Sequence, residues 1–527
     1  MSGPSHHSSL SHGPADLIAG EWRSVDTGTG ERIVSTNPAH PSRVVWQGVE
    51  NPAHVDAAVA GARSAFPVWS NWPIEKRAGV LRVFQKIAKS RETALTELVR
   101  DEVGKATWDS KGEAGLLSGK VDITLDESEH GARRRVSAFD VAVGPTRAGR
   151  AWFRPHGVMA VLGPFNFPMH LPNGHIIPAL AMGNTIVFKP SDKTPACGQA
   201  LAEMYHDALV EAGAPKGVVN LVQGGAKVAA SLASHRDIDG VLFTGSWDVG
   251  RRIMQANLDH PGRILALEMG GNNPAIVMDD ANLRQALVEI VRCAFVTSGQ
   301  RCTCTRRVIV HESVADRFVG ALLESAKRLV VGDPAIEGTF MGPVVAKGAR
   351  DGILHAFESF VKAGAKALLS CEAKTIDEKD NGWYVSPGIL RVDRFTKNPD
   401  ITIPGGGADV EVFGPLLRVS VVTSLDEAIE QANATSFGLA ASIFTHDHTS
   451  IDRFLRDTRA GCLNVNTGTA GASSKLPFGG LGHSGNHRPA GAFSLDYCAY
   501  PIAGMTETGA ASTMAPGMTI DEAWLNA

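Results

Sequence analysis

From Gly157 onward the chain repeats one unit: a short apolar run, a turn built on Gly, Pro or Asn, then a helix-like segment. The runs are 157-GVMAVLGPFNFP-168, 184-NTIVFKPSDKTP-195, 217-GVVNLVQGG-225, 239-DGVLFTGSWDVG-250 and 274-PAIVMDDA-281. Successive strand–turn–helix units predict a parallel sheet with helices on both faces, an α/β fold. Sheets of this kind bind their ligands at the carboxyl ends of the strands. The chemistry is therefore to be sought where each apolar run stops.

Upstream, residues 55–103 carry apolar positions at helical spacing and predict amphipathic helices with breaks near Pro67 and Pro73. The stretch 138–155 alternates around Gly144 and Pro145 and predicts a β-hairpin. A length of 527 residues calls for two or three lobes. A net charge of −4 argues against a phosphate-backbone binder, so no nucleic acid partner is expected. Seven cysteines, an odd number without C-x-x-C spacing, fit a reduced cytoplasmic setting better than a disulfide framework. The first 16 residues are polar and small, and lack a basic segment followed by an apolar one. They predict a disordered tail, with His6 and His7 solvated. No apolar run approaches about 18 residues, so no membrane span is expected.

Four strand ends carry candidate chemistry. In 186-IVFKPSDKTP-195, Lys189 and Asp192 can bond the hydroxyls of a ribose, or serve as a surface lysine and a helix cap. In 241-VLFTGSWDVGRRI-253, Gly245 and Gly250 flank Ser246, Trp247, Asp248 and Val249, and a helix follows. Glycines and a helix N-terminus suit a phosphate, but the spacing is neither that of a dinucleotide fingerprint nor that of a Walker loop. In 264-ILALEMGGNNPAIV-277, Glu268 lies in an apolar run. Buried, it would have a raised pKa suited to a general base; on a strand's outer face it would be an ordinary solvated carboxylate. In 295-FVTSGQRCTCTRR-307, Cys302 and Cys304 stand one residue apart. Zinc would need more ligands and a disulfide there would be strained. Nucleophile and buried small hydrophobe both stay open.

Taken in order, P-F-N-F-P, F-K-P-S-D-x-T-P, F-T-G-S-x-x-x-G, L-E-M-G-G-N-N-P, F-x-x-x-G-Q-R-C and E-V-F-G-P resemble the aldehyde dehydrogenase superfamily from about Ile18 to Ala503. The resemblance implies a Rossmann-type parallel-sheet lobe that binds NAD, an α/β catalytic lobe, and a small β element for oligomerisation. The implied boundaries are 17–137 with 156–268 for the NAD-binding lobe and 269–483 for the catalytic lobe. Residues 138–155 with 484–503 would form the oligomerisation element, and 504–527 a tail. It implies Cys302 as nucleophile, Glu268 as general base and Asn166 as oxyanion donor beside the Cys302 N–H. Lys189 and Asp192 would hold the adenosine ribose, residues 245–250 the pyrophosphate, and Glu411 the nicotinamide ribose. Asp192 replaces the usual Glu of the motif, a departure of one carbon. Its carboxylate should repel a 2′-phosphate and favour NAD over NADP. No metal is implied.

The phrases H-L-P-N-G-H, G-N-H-R-P and D-Y-C-A-Y-P are similar to a branch of that superfamily acting on N-succinylglutamate 5-semialdehyde, in the succinyltransferase route of arginine breakdown. Succinate and glutamate semialdehydes are the alternative substrates, and a non-catalytic nucleotide-binding member the alternative class. A substrate with two carboxylates calls for cations or N–H donors, and Arg301, His170, His487 and Arg488 are the candidates, with Asn486 beside them. Arg301 is also expected to favour the Cys302 thiolate, and Cys304 to be a packed bystander. A homo-oligomer, dimer or tetramer, is implied.

Overall fold

The computed structural model describes residues 7–510 and 512–526. Two seven-stranded sheets form the body of the molecule. In the first, the strands run in the order Ile264–Glu268, Gly240–Thr244, Val158–Leu162, Thr185–Lys189, Val219–Leu221, Ala15–Ile18, Glu21–Ser24. The first five are parallel, and the last two join antiparallel as an edge hairpin. The apolar runs of the sequence are these parallel strands, each buried along its whole length or nearly so. Continuous burial explains why they read as unbroken Val, Ile, Leu and Phe rather than as alternating residues.

The chain changes sheets between Glu268 and Asn273. The second sheet runs Lys366–Leu369, Gly388–Arg391, Leu416–Val422, Thr305–His311, Asn273–Val277, Ala440–Phe444, Cys462–Val465, parallel except for its first strand. Two hydrophobic clusters flank each sheet, one on each face. The predicted hairpin forms from Phe139–Ala142 and Arg147–Pro155, and Ala499–Glu507 pairs along the whole of its second strand. The three strands stand as an exposed ribbon.

The structure corrects the sequence reading at three places. The expected tail is held from His7 onward. The His7 imidazole meets the Asp101 carboxylate at 3.3 Å, and the Ser11 and His12 N–H groups donate to Glu203. His6 lies outside the described residues. Pro67 does not break its helix, which runs Ala53–Ser70; a proline this close to the end removes little of the ladder. Pro73, by contrast, caps the next helix, Ile74–Ser90. The last ribbon strand starts at Ala499 and continues to Glu507, beyond the expected end at 503.

Candidate active site

The carboxyl edge of the first sheet sets out the site. Register places Leu162 beside Lys189, Phe243 beside Leu162, and Thr244 beside Glu268. Above this edge lies a cavity of about 900 Å³, within the range of cofactor sites. One end is a slot between two helices, Ala226–Ala233 and Trp247–Ala256, with Ala229, Ala230, Val249 and Ile253 on its walls. Lys189 and Asp192 lie at that end, and Asn166, Cys302 and Glu411 line the rest. An apolar slot leading past a lysine and a carboxylate to a thiol fits a dinucleotide in size and chemistry. Lys189 is buried, its Nζ donating to the Pro190 carbonyl, and burial lowers its pKa to about 8. Asp192 pairs with the exposed Lys193 at 3.0 Å.

Of residues 245–250, Gly245, Ser246 and Val249 line the cavity; the other three do not. Ser246 caps the helix, accepting from the Val249 N–H. Trp247 stacks on His483 at 3.9 Å, and Asp248 is exposed. Gly250 is packed so closely that an added Cβ would lie 2.3 Å from the Met269 sulfur. Its role is to let the helix approach the loop after Glu268. A helix turns its residues to all sides, so a contiguous stretch cannot face one ligand throughout.

Cys302 follows an unusual turn. Thr297, Ser298 and Gly299 are all left-handed, at φ 54°, 53° and 72°. For a residue with a Cβ this conformation costs roughly 1–2 kcal/mol. At Gly299 a Cβ would lie 2.1 Å from the Gly414 carbonyl oxygen, so only glycine fits. Asn273 holds the far side of the turn, donating to the carbonyls of Cys302 (2.7 Å) and Cys304 (2.8 Å). The Asn166 amide donates to the Gln300 carbonyl at 2.9 Å. An amide carries two N–H donors, so a second remains for an oxygen in the cavity. The Cys302 N–H has no acceptor among the described residues. Cys304 is fully buried, with its sulfur 3.9 Å from the Val296 carbonyl.

The expected effect of Arg301 on the nucleophile is not what the structure holds. Its guanidinium donates to Asp109 at 2.6 Å and to Thr297 Oγ1 at 2.8 Å. Burial raises the pKa of Cys304 and the Arg301 charge lowers it in part, whereas the main influences on Cys302 are burial and carboxylates. Burial, followed by the nearby carboxylates of Glu268 and Glu411, pushes the Cys302 thiol well above its ordinary range. A thiolate at this position would have to form by handing its proton to a base.

Glu268 ends its strand fully buried, and neither oxygen has a hydrogen-bond partner among the described residues. Burial raises its pKa well above the ordinary value; Arg488 and the Gly480 N–H, close but outside bonding geometry, offset part of this. The alternation that left Glu268 on either face is resolved: it points inward. Glu411 accepts from the Gly271 N–H at 2.9 Å, and burial raises its pKa also.

The profile of the aldehyde dehydrogenase family matches residues 23–501. The chain belongs to the aldehyde dehydrogenase family. An N-succinylglutamate 5-semialdehyde dehydrogenase of a Caulobacter species is 42% identical over 503 residues, 94% of this chain and 97% of that protein. An NAD-dependent aldehyde dehydrogenase from Sinorhizobium meliloti superposes with a TM-score of 0.86 at 28% identity, covering 97% of each chain. A 1-pyrroline-5-carboxylate dehydrogenase from Thermus with bound NAD gives 0.84 at 28% identity, covering 94% of this chain and 93% of that one.

Within this dehydrogenase none of the substrate candidates, Arg301 included, is among the residues that line the cavity. His170 is at the start of the helix His170–Met182. Its Nδ1 has no partner among the described residues, and burial followed by Lys120, Lys105 and Arg301 lowers its pKa to about 3. His487 is exposed on a left-handed turn shared with Arg488, at φ 54° and 51°. Arg488 donates to the Gly480 carbonyl at 3.0 Å, and its charge lowers in part the pKa that burial raises at Glu268; it does not line the cavity. Asn486 extends the first sheet, exchanging hydrogen bonds with Leu267. The sequence reading missed Asn273, though it sits inside the quoted G-G-N-N-P. It also missed Asp109, whose partners are remote in sequence, and the bond that Arg306 makes to distant Gly414. Arg306 donates to the carbonyls of Gly414 and Arg301, both at 3.0 Å, tying the turn to the Glu411 loop.

Proposed function

We propose that this dehydrogenase oxidises N-succinylglutamate 5-semialdehyde to N-succinylglutamate with NAD, by a hydrolytic route in arginine catabolism. The observation that carries the route is the juxtaposition of a cavity-lining thiol, Cys302, with the buried and unpartnered carboxylate of Glu268. Burial raises the proton affinity of Glu268, which makes it a better acceptor of the thiol proton than an ordinary carboxylate, and its charge in turn raises that of Cys302. The Cys302 sulfur attacks the aldehyde carbon, and the second Asn166 N–H and the Cys302 N–H receive the oxyanion. Donors of this kind typically stabilise the transition state by roughly 3–4 kcal/mol each. Bound NAD supplies the hydride acceptor. A thioester on Cys302 remains, and Glu268 takes a proton from the water that hydrolyses it. A carboxylate without fixed partners can turn from thiol to water between the two steps.

For NAD, Lys189 and Asp192 hold the adenosine ribose, with Gly245, Ser246 and Val249 along the slot and Glu411 on the nicotinamide ribose. The substrate is read from the Caulobacter relative and from Arg301, whose Nη1 donors carry no bond among the described residues. Arg301 also stacks over Phe167 at 4.9 Å from the ring centre. A guanidinium so placed is the carboxylate anchor we assign. The test is a panel of succinylglutamate, glutamate and succinate semialdehydes, each with NAD and with NADP. The succinylated substrate with NAD should give the highest kcat/KM. A preference for an unsuccinylated aldehyde overturns the substrate, and no NADH with any aldehyde overturns catalysis. We also propose that the exposed ribbon of Phe139–Ala142, Arg147–Pro155 and Ala499–Glu507 pairs with a second copy of the chain.

A further inference from the structure

The left-handed turn before Cys302 needs something to hold it, and one residue far away in sequence helps to do so. Asp109 lies in the first turn of the helix Thr107–Thr124, where negative charge is favoured, and is 4% exposed. One carboxylate oxygen accepts from the Thr297 hydroxyl at 2.6 Å, the other from the Arg301 guanidinium at 2.6 Å. Arg301 Nε closes the triangle by donating to Thr297 Oγ1 at 2.8 Å. The triangle spans the turn from its first left-handed residue to the residue before the nucleophile. Four residues on along the same helix face, Glu113 accepts from the Met169 and His170 N–H groups, just beyond Asn166. Its second oxygen pairs with the buried Lys105 at 2.6 Å. One helix face thus grips both the segment that carries the nucleophile and the segment that carries the oxyanion donor.

We propose that Asp109 is a positioning residue for the dehydrogenase reaction, a clasp that keeps residues 297–299 left-handed and so fixes the Cys302 sulfur against Asn166 and Glu268. Left-handed conformations at residues with a Cβ persist only where the surroundings over-determine them; the triangle does this at Thr297, beside the Ser298 hydroxyl that donates to the Gly342 carbonyl at 2.7 Å. The inference rests on Cys302 being the nucleophile.

The clasp is tested by steady-state kinetics of the full chain. Asp109→Asn should lower kcat by about 10²-fold, the scale of a misplaced reacting group, with KM for NAD unchanged. Adding Thr297→Gly should restore part of that loss, because glycine adopts the left-handed conformation without support. Thr297→Val, which deletes only the hydroxyl, should reproduce the loss, and Thr297→Ser should escape it. A fully active Asp109→Asn overturns the clasp, as does a double variant no better than Asp109→Asn. Equal activity of Thr297→Val and Thr297→Ser overturns it even if Asp109→Asn does not fold. Cys302→Ser, measured alongside, separates the two readings. An active Cys302→Ser overturns the nucleophile assignment, whereas an inactive one beside a fully active Asp109→Asn overturns the clasp alone.

Discussion

Glu268 is the residue whose surroundings say most about its work. Its pKa stands well above 4.5 because it is buried, so the protonated form is favoured in the folded chain. The stabilisation from that proton is complete at pH below the unfolded value and is lost as pH rises through the raised folded value. Glu268→Gln should therefore match the unaltered protein in thermal stability at acid pH and exceed it, by about 1–3 kcal/mol, in alkali. In stopped flow the same variant should give a first-turnover burst of NADH followed by slow turnover, and an unchanged steady-state rate would sink the assignment. The two cysteines make a sharper contrast. Cys302→Ala should lose essentially all dehydrogenase activity, while Cys304→Ala should stay active and lose about 1 kcal/mol of stability for a small buried void. At this scale the sequence singled out the groups we propose to react, because motifs keep them next to characteristic turns. It did not show their supports. Asp109 reaches Thr297 and Arg301 across more than half the length of the first lobe and into the second, and no local pattern encodes such a pair. The same gap misled the reading of Arg301, whose charge was set against its neighbour in sequence and proved to be matched by a partner far along the chain.

Elements were legible where a period or a breaker fixed them. The parallel strands showed as apolar runs because both their faces are covered, and the strand ends showed because a turn residue follows each one. The stretch 245–250 was read too uniformly, since the helix that begins at Trp247 sends half its side chains away from the cavity. Lys189 illustrates what a strand end does to a side chain. At the carboxyl edge, desolvation lowers its pKa to about 8. Its charge is lost as pH rises through that value, so affinity for NAD should fall between neutral and mildly alkaline pH. Lys189→Met should bind NAD more weakly at neutral pH and lose this dependence. Fluorescence titration of the cofactor at several pH values makes the comparison. A binding curve for the unaltered protein that ignores pH would remove Lys189 from the cofactor site.

The whole molecule is organised by two events in the chain, and they differ in how openly the sequence announces them. The switch from the first sheet to the second happens between Glu268 and Asn273, at a pair of glycines that also admit Glu411 to the site; a Cβ on Gly270 would lie 1.9 Å from its carboxylate. Crossing between lobes at that point is what puts Glu268 at the end of one sheet and Cys302 beside the other, with the cavity between. The glycines were visible; the lobe boundary at 268/269 came from the family resemblance and not from the residue pattern, because strand order is fixed by packing across the chain. The second event is the ribbon. Its outer strands, Phe139–Ala142 and Ala499–Glu507, each have an unpaired edge, and Phe139, Val141 and Met505 are 57%, 50% and 62% exposed. Uncovered edges with apolar faces invite association, and natural chains normally blunt or cover them. A second copy of the chain would cover both, so the double substitution Phe139→Asp with Val141→Asp should shift the protein to a smaller species in sedimentation. Because the ribbon stands apart from the cavity, NAD binding by that smaller species should persist. An unchanged sedimentation coefficient would place the interface between copies elsewhere on the surface.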